Sequence, residues 1–347
     1  MNSEPGATGD EAPRHVRRPR YAGKNPRHFA QKYKEHAAEK YPDVVEKVKA
    51  AGKTPAGAHV SVMLEESLQA LCLRPGLVGV DATVGFGGHA AAILKQIVPG
   101  GQLVGLDVDP LELPKTEHRL QQLGYGSEVF RAFRSNYAGL AKVLAQCGRS
   151  QVDFVFADLG CSSMQIDDPS RGFTFKEDGP LDMRMNPQRG ISAAQWLEQV
   201  NVAQLTQVLQ ENADEPDAER LAAVMAGKKI QSTRELVQLI HNLGLAAGDL
   251  AVRRVFQALR IAVNEEFTAL EQFLRVLPHC LAPGGRAVVL TFHSGEDRRV
   301  KKAFQEGWRS GVYAEVAREV TLAGSAERRA NPRSIPAKLR WAQRGVI

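Results

Sequence analysis

Cysteine is scarce in this chain of 347 residues, with only Cys72, Cys147, Cys161 and Cys280, and no two of them form a CxxC pair. That scatter argues against a zinc site or a disulfide framework, so no metal is expected and a reducing cytoplasm is the natural compartment. Long apolar runs are missing too: none approaches the ~18 residues that a membrane span requires, and no membrane partner is expected. The opening residues, Met1-Asn-Ser-Glu-Pro-Gly, lack a charged start followed by an apolar segment, so no secretory signal is expected. No internal repeat is visible. What remains is ordinary for a soluble globular protein, with 43% hydrophobic and 24% charged residues. The length allows a sizeable core and more than one domain.

Charge is unevenly spread. The net value is +6, yet residues 1–57 carry 12 Lys/Arg against 7 Asp/Glu, and residues 324–347 carry 6 against 1. Both ends therefore read as arms or flaps suited to a polyanion. Residues 1–57, rich in Gly, Pro, Arg and Lys, read as a largely disordered extension, with helical character over 29–51 interrupted at Pro42. The folded part is expected to begin near His59.

From there strands and helices alternate, the pattern of a parallel α/β sheet. Strands are expected at 77–82, 102–107, 128–133 and 152–158, with helices at 88–98, 110–123 and 136–147. The stretch Val152-Asp-Phe-Val-Phe-Ala-Asp158 is almost continuously apolar, as a central strand covered on both faces should be. Alternation then stops. Residues 161–190 read as loop and 192–248 as helix, followed by one long helix over 251–281. The sheet resumes at 287–292, with strand-like stretches at 312–322 and 337–343.

The chemistry centres on Asp81-Ala-Thr-Val-Gly-Phe-Gly-Gly-His89, a Gly-rich turn between a strand and a helix. Such a turn lets backbone approach a ligand without side-chain clash. The next strand delivers Asp107, an acid placed to accept hydrogen bonds from a ribose diol. Together they predict a nucleotide-like cofactor. Asp158 ends the fourth strand, where ligands bind in open α/β sheets.

Longer motifs then add up. They include His59-xx-Val-Met-Leu-x-Glu66, Thr83-x-Gly85-x-Gly-Gly-His89, Asp107-x-Asp-Pro110 and Asp158-Leu-Gly-x-Ser-Ser163. Further on come Gln165-x-Asp-Asp168, Arg171-Gly-Phe173 and Asp178-Gly-Pro-Leu-Asp-Met-Arg-Met185. The last are Arg254-x-Phe-Gln-Ala-Leu-Arg-Ile261, Val263-Asn264-x-Glu266 and Phe292-His-Ser-x-Glu-Asp-Arg298. On these the chain resembles the MraW family, the ribosomal RNA small subunit methyltransferases H. These enzymes use S-adenosylmethionine to methylate the exocyclic N4 amine of a cytidine. Departures are local. Cys161 stands where a small aliphatic is usual, the Gly-Glu-Glu pattern of the helical region is loose around 212–221, and Ile335-Pro-Ala337 replaces a polar run.

The resemblance implies a Rossmann-like class I methyltransferase with a mostly parallel seven-stranded sheet and an inserted all-helical domain. Its divisions would be a basic extension at 1–57, a catalytic domain of 58–163 and 250–347, and a substrate-recognition insertion at 164–249. Gly87, Gly88, His89, Asp107, Phe133, Asp158 and Gln165 would line the S-adenosylmethionine pocket, Phe133 as an apolar wall for adenine. Asp158 is the first candidate for acting on the amine, with Asp182 and His293 next. Arg171, Arg184, Arg254 and Arg260 would meet phosphates or a splayed base. The expected partner is small-subunit ribosomal RNA or the assembled subunit, and a homodimer is left open. Two other readings stand beside this one: a nicotinamide-dependent oxidoreductase, which shares the strand–turn–helix–acid pattern, and a non-catalytic RNA-binding assembly factor.

Overall fold

The sheet follows from the strands that the apolar runs predict. Strand β1 (Val78–Asp81), β2 (Gln102–Asp107), β3 (Phe130–Arg134) and β4 (Val152–Asp158) fall within one or two residues of the expected positions. Their order is β3-β2-β1-β4, all parallel, and β5 (Leu281–Thr291) continues the parallel set beside β4. Strand β8 (Lys338–Arg344) then pairs antiparallel with β5. On its far edge lie β6 (Tyr313–Val316) and the two-residue β7 (Thr321–Leu322). The stretch read as one strand at 312–322 is thus two, sharing one position, so eight segments fill seven places. This computed structural model describes residues 61–346, Ser163 without its side chain, all within the unit His59–Ile347. The 1–57 extension with its 29–51 helix, and the starting residue His59, fall outside the described residues.

Helices cover both faces, as parallel crossovers require. Helix α1 (Leu64–Leu71) precedes β1, while α2 (Gly88–Ile97) and α3 (Leu113–Gln122) follow β1 and β2. On one face α2 and α3 bury Ile93, Leu94, Ile97 and Leu120 against Phe154 and Phe156 of β4. On the other, α4 (Leu140–Gln146) packs Leu140 and Leu144 with Phe273 and Leu277 against Val155 and Ala157. Alternating burial along β4 is what divides its side chains between the two layers.

A short helix α5 (Ser163–Asp167) starts the departure from the sheet, fixed by a capping box between Ser162 and Gln165. The expected helical insertion follows as α6 (Ala193–Gln199), α7 (Val202–Ala213), α8 (Ala218–Met225) and α9 (Thr233–His241). These helices bury Leu197, Leu209, Leu221 and Ile240 in a core of their own. That core takes in Val255 and Leu259 of α10 (Gly248–Asn264).

Two expectations need correction. The single helix over 251–281 is two, α10 and α11 (Glu266–Cys280), separated at Glu265 with φ 51. Apolar spacing runs through the break, so periodicity could not reveal it. A non-glycine residue in the left-handed region persists only where its surroundings hold it there. Here Arg260 forks onto Glu266 across the break, at 2.8 and 2.9 Å. The basic segment 324–347 is also no free arm. After α12 (Ser294–Arg309) and β7 it forms α13 (Ser325–Ala330) and then β8, inside the sheet. Arg340 is buried against Asp297 at 2.6 Å, and Arg328 and Arg344 donate to the carbonyls of Ala323 and Val312.

Candidate active site

A cleft of about 350 Å³ opens at the carboxyl ends of β1, β2 and β4, the place where open α/β sheets bind ligands. Its floor is the Gly-rich turn. Gly85 and Gly87 have φ of 47 and 88, and Gly87 caps α2 in the left-handed conformation. A Cβ on Gly87 would come within 2.7 Å of Thr116 Cγ2, and one on Gly88 would strike Ser61 Oγ. The turn is tied to α3 as well, because Thr116 donates to the Gly85 carbonyl and Arg119 donates to that of Phe86 while lying over its ring at 3.8 Å. Gly87 is therefore required by space as well as by dihedral angle, Gly85 by its dihedral angle and Gly88 by space.

Acids line the ends of the strands. Asp107 accepts from the backbone N–H of Gly85 at 2.9 Å and of Asp109 at 2.8 Å, and burial pushes its pKa up to about 6. Asp81, beneath the turn, accepts from Thr83 N, and burial raises it to about 7. Asp158 is held well above the ordinary carboxylate range, first by burial and then by the charges of Asp81 and Glu296. Its backbone N–H donates to Thr83 Oγ1 at 2.6 Å. Oδ2 lies 3.5 Å from His89 Nδ1, while His89 Nε2 is 3.1 Å from the Val62 carbonyl. Since that carbonyl can only accept, Nε2 carries the donated hydrogen, and Nδ1 faces Oδ2 across 3.5 Å. Among the described residues, Asp81 Oδ2 and Asp158 Oδ1 are buried without a hydrogen-bond partner.

Of the seven predicted cofactor residues, Gly87, Gly88, His89, Asp107, Asp158 and Gln165 line this cleft. Gln165 does so with its amide already committed: Oε1 accepts from Ser162 N and Nε2 donates to Asp109 at 2.8 Å. Phe133 does not line the cleft. It pairs in register with Leu106 and packs with the core around α4, because β3 runs one residue further than expected. Ser135, Asn136 and Tyr137 take the wall instead.

The motif arginines are corrected more severely. Arg171 binds buried Asp109 at 2.9 Å and the carbonyls of Arg184 and Met185. Arg184 forks onto Asp182 at 2.8 and 2.7 Å, which removes both from the cleft and holds the Asp182 carboxyl low. Arg254 sits 3.8 Å from buried Glu215. Arg260 reaches the cleft wall, but as the partner of Glu266. Buried cations without acids are costly, so these motif arginines find acids inside the fold first. His293 caps α12 and lies 3.2 Å from Glu296, outside the cleft lining.

Asn264 and Glu266, quoted within a motif but given no role, do line the cleft. Asn264 accepts from Met185 N and donates to the Met183 and Arg260 carbonyls, at 2.7 to 2.8 Å. It thereby locks the 183–185 turn, where Met183 has φ 61. The only sequence signal was the polar pair inside an apolar helical run. Glu266, His293 and Glu296 bring ligand atoms within 4.8 Å of one another, and the guanidinium of Arg260 supplies the balancing charge.

The family model that describes the MraW methylase family matches residues 56–345. Among curated proteins, ribosomal RNA small subunit methyltransferase H 1 of Lachnoclostridium phytofermentans is 46% identical over 96% of this chain and 94% of its own length. The corresponding H 1 protein of Agathobacter rectalis is 43% identical over 96% and 99%. Ribosomal RNA small subunit methyltransferase H of Acidobacterium capsulatum is 38% identical, over 82% of this chain and 98% of its own. The first two alignments therefore run into the basic extension, while the family model begins where the folded unit does. Matched through nearly all of its length, the chain belongs to the MraW methylase family.

Proposed function

We propose that the protein transfers a methyl group from S-adenosylmethionine to the exocyclic N4 amine of one cytidine in small-subunit ribosomal RNA, near the decoding centre. The observation that carries this reading is the family match together with a strand-end cleft lined by Asp107 and Asp158, the latter with a buried, unpartnered oxygen. The oxidoreductase alternative fails with that membership, and a non-catalytic role would leave the acids at β1, β2 and β4 without a purpose.

The residues fit the cofactor. The cradle that a Cβ would fill at Gly87 and Gly88 admits backbone-close binding, and Asp107 suits a ribose diol. The orphaned Oδ1 of Asp158, in the cleft wall, suits a cation or an N–H donor. When bound, S-adenosylmethionine supplies an electrophilic methyl group on a cationic sulfur. Asp158 orients the target amine, whose lone pair is otherwise delocalised into the ring. Accepting an amine hydrogen favours pyramidal nitrogen, and the carboxylate stabilises the positive charge that grows there. The ionised form of Asp158, which burial otherwise disfavours, is favoured beside a bound cationic sulfur, and that carboxylate would take the proton the amine gives up. In-line approach at about 3–3.5 Å is the remaining requirement.

The body formed by 58–163 and 250–347 serves catalysis and the helices of 164–249 serve recognition of the RNA, with the working boundary inside α10. The assembled small subunit is the substrate form that would also engage the 1–57 extension, and a homodimer completes the set of proposed partners. Among the described residues no helix is long and apolar enough to cross a membrane. A cytoplasmic location suits a substrate made there.

Mass spectrometry of ribosomal RNA nucleosides from a deletion strain tests the reaction: N4-methylated cytidine should disappear and return on complementation. Unchanged methylcytidine would sink the proposal.

Cofactor binding should also release protons. Burial holds Asp107 near 6 and Asp81 near 7 in the free protein, and a bound cation or hydroxyl donor favours the ionised form, lowering both. Affinity should therefore rise with pH up to about 7 and level off above it, since the bound state holds fewer protons. Calorimetry at pH 6.5 in two buffers of different ionisation enthalpy reads this directly. Identical heats in both buffers would mean that neither acid changes protonation.

A further inference from the structure

We infer that the rim of the cleft where β3 meets the 184–191 loop is a phosphate guide for the RNA strand, carried by Arg134 and Arg189. The inference rests on the RNA-methylating reading above. Two stretches of the sequence have no Asp or Glu: 129–152, which holds Arg131, Arg134, Lys142 and Arg149, and 183–197, which holds Arg184 and Arg189. The fold brings one end of each to the same place. Arg134 closes β3, and the next three residues, Ser135 to Tyr137, are cleft wall. Met185, near the start of the second stretch, is cleft wall too. Arg134 Nη1 donates to Gln188 Oε1 at 3.3 Å, joining the two.

Both guanidinium groups are exposed, and among the described residues neither has a carboxylate within ion-pair distance. That sets them apart from Arg171, Arg184, Arg254 and Arg260, each already matched to an acid. The loop is ordered without them: Arg189 N donates to the Asn186 carbonyl, Gln188 N to Asn186 Oδ1, and Arg184 Nη1 to the Gly190 carbonyl. The bond that Arg134 makes to Gln188 is to a neutral, exposed amide, so a phosphate displaces it at little cost.

The partner chemistry follows. A base that leaves its stack and enters this cleft leaves its own phosphates at the mouth. Planar, fixed-charge guanidinium forks at that distance match phosphate oxygens better than any feature deeper in the cleft. The occupant of the rim is the backbone of single-stranded or splayed RNA flanking the target.

The test uses the full chain and unmodified small ribosomal subunits, with binding to their RNA measured across a potassium chloride series. The double variant Arg134→Gln/Arg189→Gln should bind about tenfold more weakly for each guanidinium removed. Its log–log salt slope should be shallower by about 1.4, given a slope of about 0.7 for each single-strand phosphate neutralised. Affinity for S-adenosylmethionine should be unchanged. Arg134→Lys/Arg189→Lys should restore the slope, and Arg149→Gln should leave it alone, since Arg149 pairs with Gln102 at the opposite end of the sheet. A double variant with wild-type slope and affinity, in a preparation whose wild type methylates the RNA, overturns the guide while sparing the reaction. A wild type that neither binds nor methylates the RNA overturns both. Loss of cofactor binding in the glutamine variant would show that these residues shape the cleft, which also overturns the proposal.

Discussion

Replacing Asp158 by asparagine is expected to slow single-turnover methyl transfer by about 10²–10³, the cost of losing one preorganised electrostatic interaction. The substitution keeps the shape of the side chain and its backbone bond to Thr83 Oγ1. It removes the negative charge that the reaction develops against, and it places a neutral amide opposite His89 Nδ1. Cofactor affinity should move far less, because Gly87, Gly88 and Asp107 are untouched. The rate is read with labelled methyl donor and unmodified small subunits, both saturating. His293→Ala serves as the comparison. Its ring is engaged with Glu296 and caps α12, so its loss should cost about 1 kcal/mol of stability and leave transfer intact. Wild-type transfer by Asp158→Asn, with transfer abolished in His293→Ala, would move the chemistry to the histidine.

The largest effect on the fold is expected from Arg260→Met. Arg260 spans the break between α10 and α11 and makes two charged hydrogen bonds to Glu266, whose side chain is 7% exposed. Removing one member of a buried ion pair strands the other, which costs about 3–5 kcal/mol. Urea unfolding should show that loss directly. The double variant Arg260→Met/Glu266→Leu should recover most of it, because two apolar groups of similar size leave no unpaired charge. If the double variant is as unstable as the single one, the pair is not what holds the break. Loss of the left-handed turn at Glu265 would also move Asn264, and with it the 183–185 turn. Activity should then fall even where the protein remains folded.

These two residues show where the sequence could be read and where it could not. Asp158 was legible because its signal is local: an apolar strand ends on an acid, and strand ends in parallel sheets face ligands. The same holds for the glycines of the turn and for Asp107, which is why the strand positions and the residues at the strand-end cleft could be read from pattern. The helical insertion was legible from its apolar spacing. Local pattern also placed a strand at 128–133, but β3 runs one residue further, to Arg134. That strand was mis-ended, and Phe133 went to the core.

The arginines needed the tertiary structure. A sequence places Arg171, Arg184, Arg254 and Arg260 in polar motifs but does not say which acid each will meet. Those acids are at sequence separations from 2 for Asp182 to 62 for Asp109. Desolvation makes the meeting decisive, since a buried guanidinium without an acid is far less stable than a paired one. The same accounting left Arg134 and Arg189 without an acid among the described residues. Nothing in their local sequence marks them, only the absence of acids over two distant stretches that the fold joins. The break at Glu265 belongs to this second class as well, held by bonds from Arg260 and Asn264 that periodicity cannot register. Local backbone preference and apolar spacing determined the sheet, the turn and the strand-end acids. Which charges are spent inside the protein, and which remain for RNA, was decided by burial.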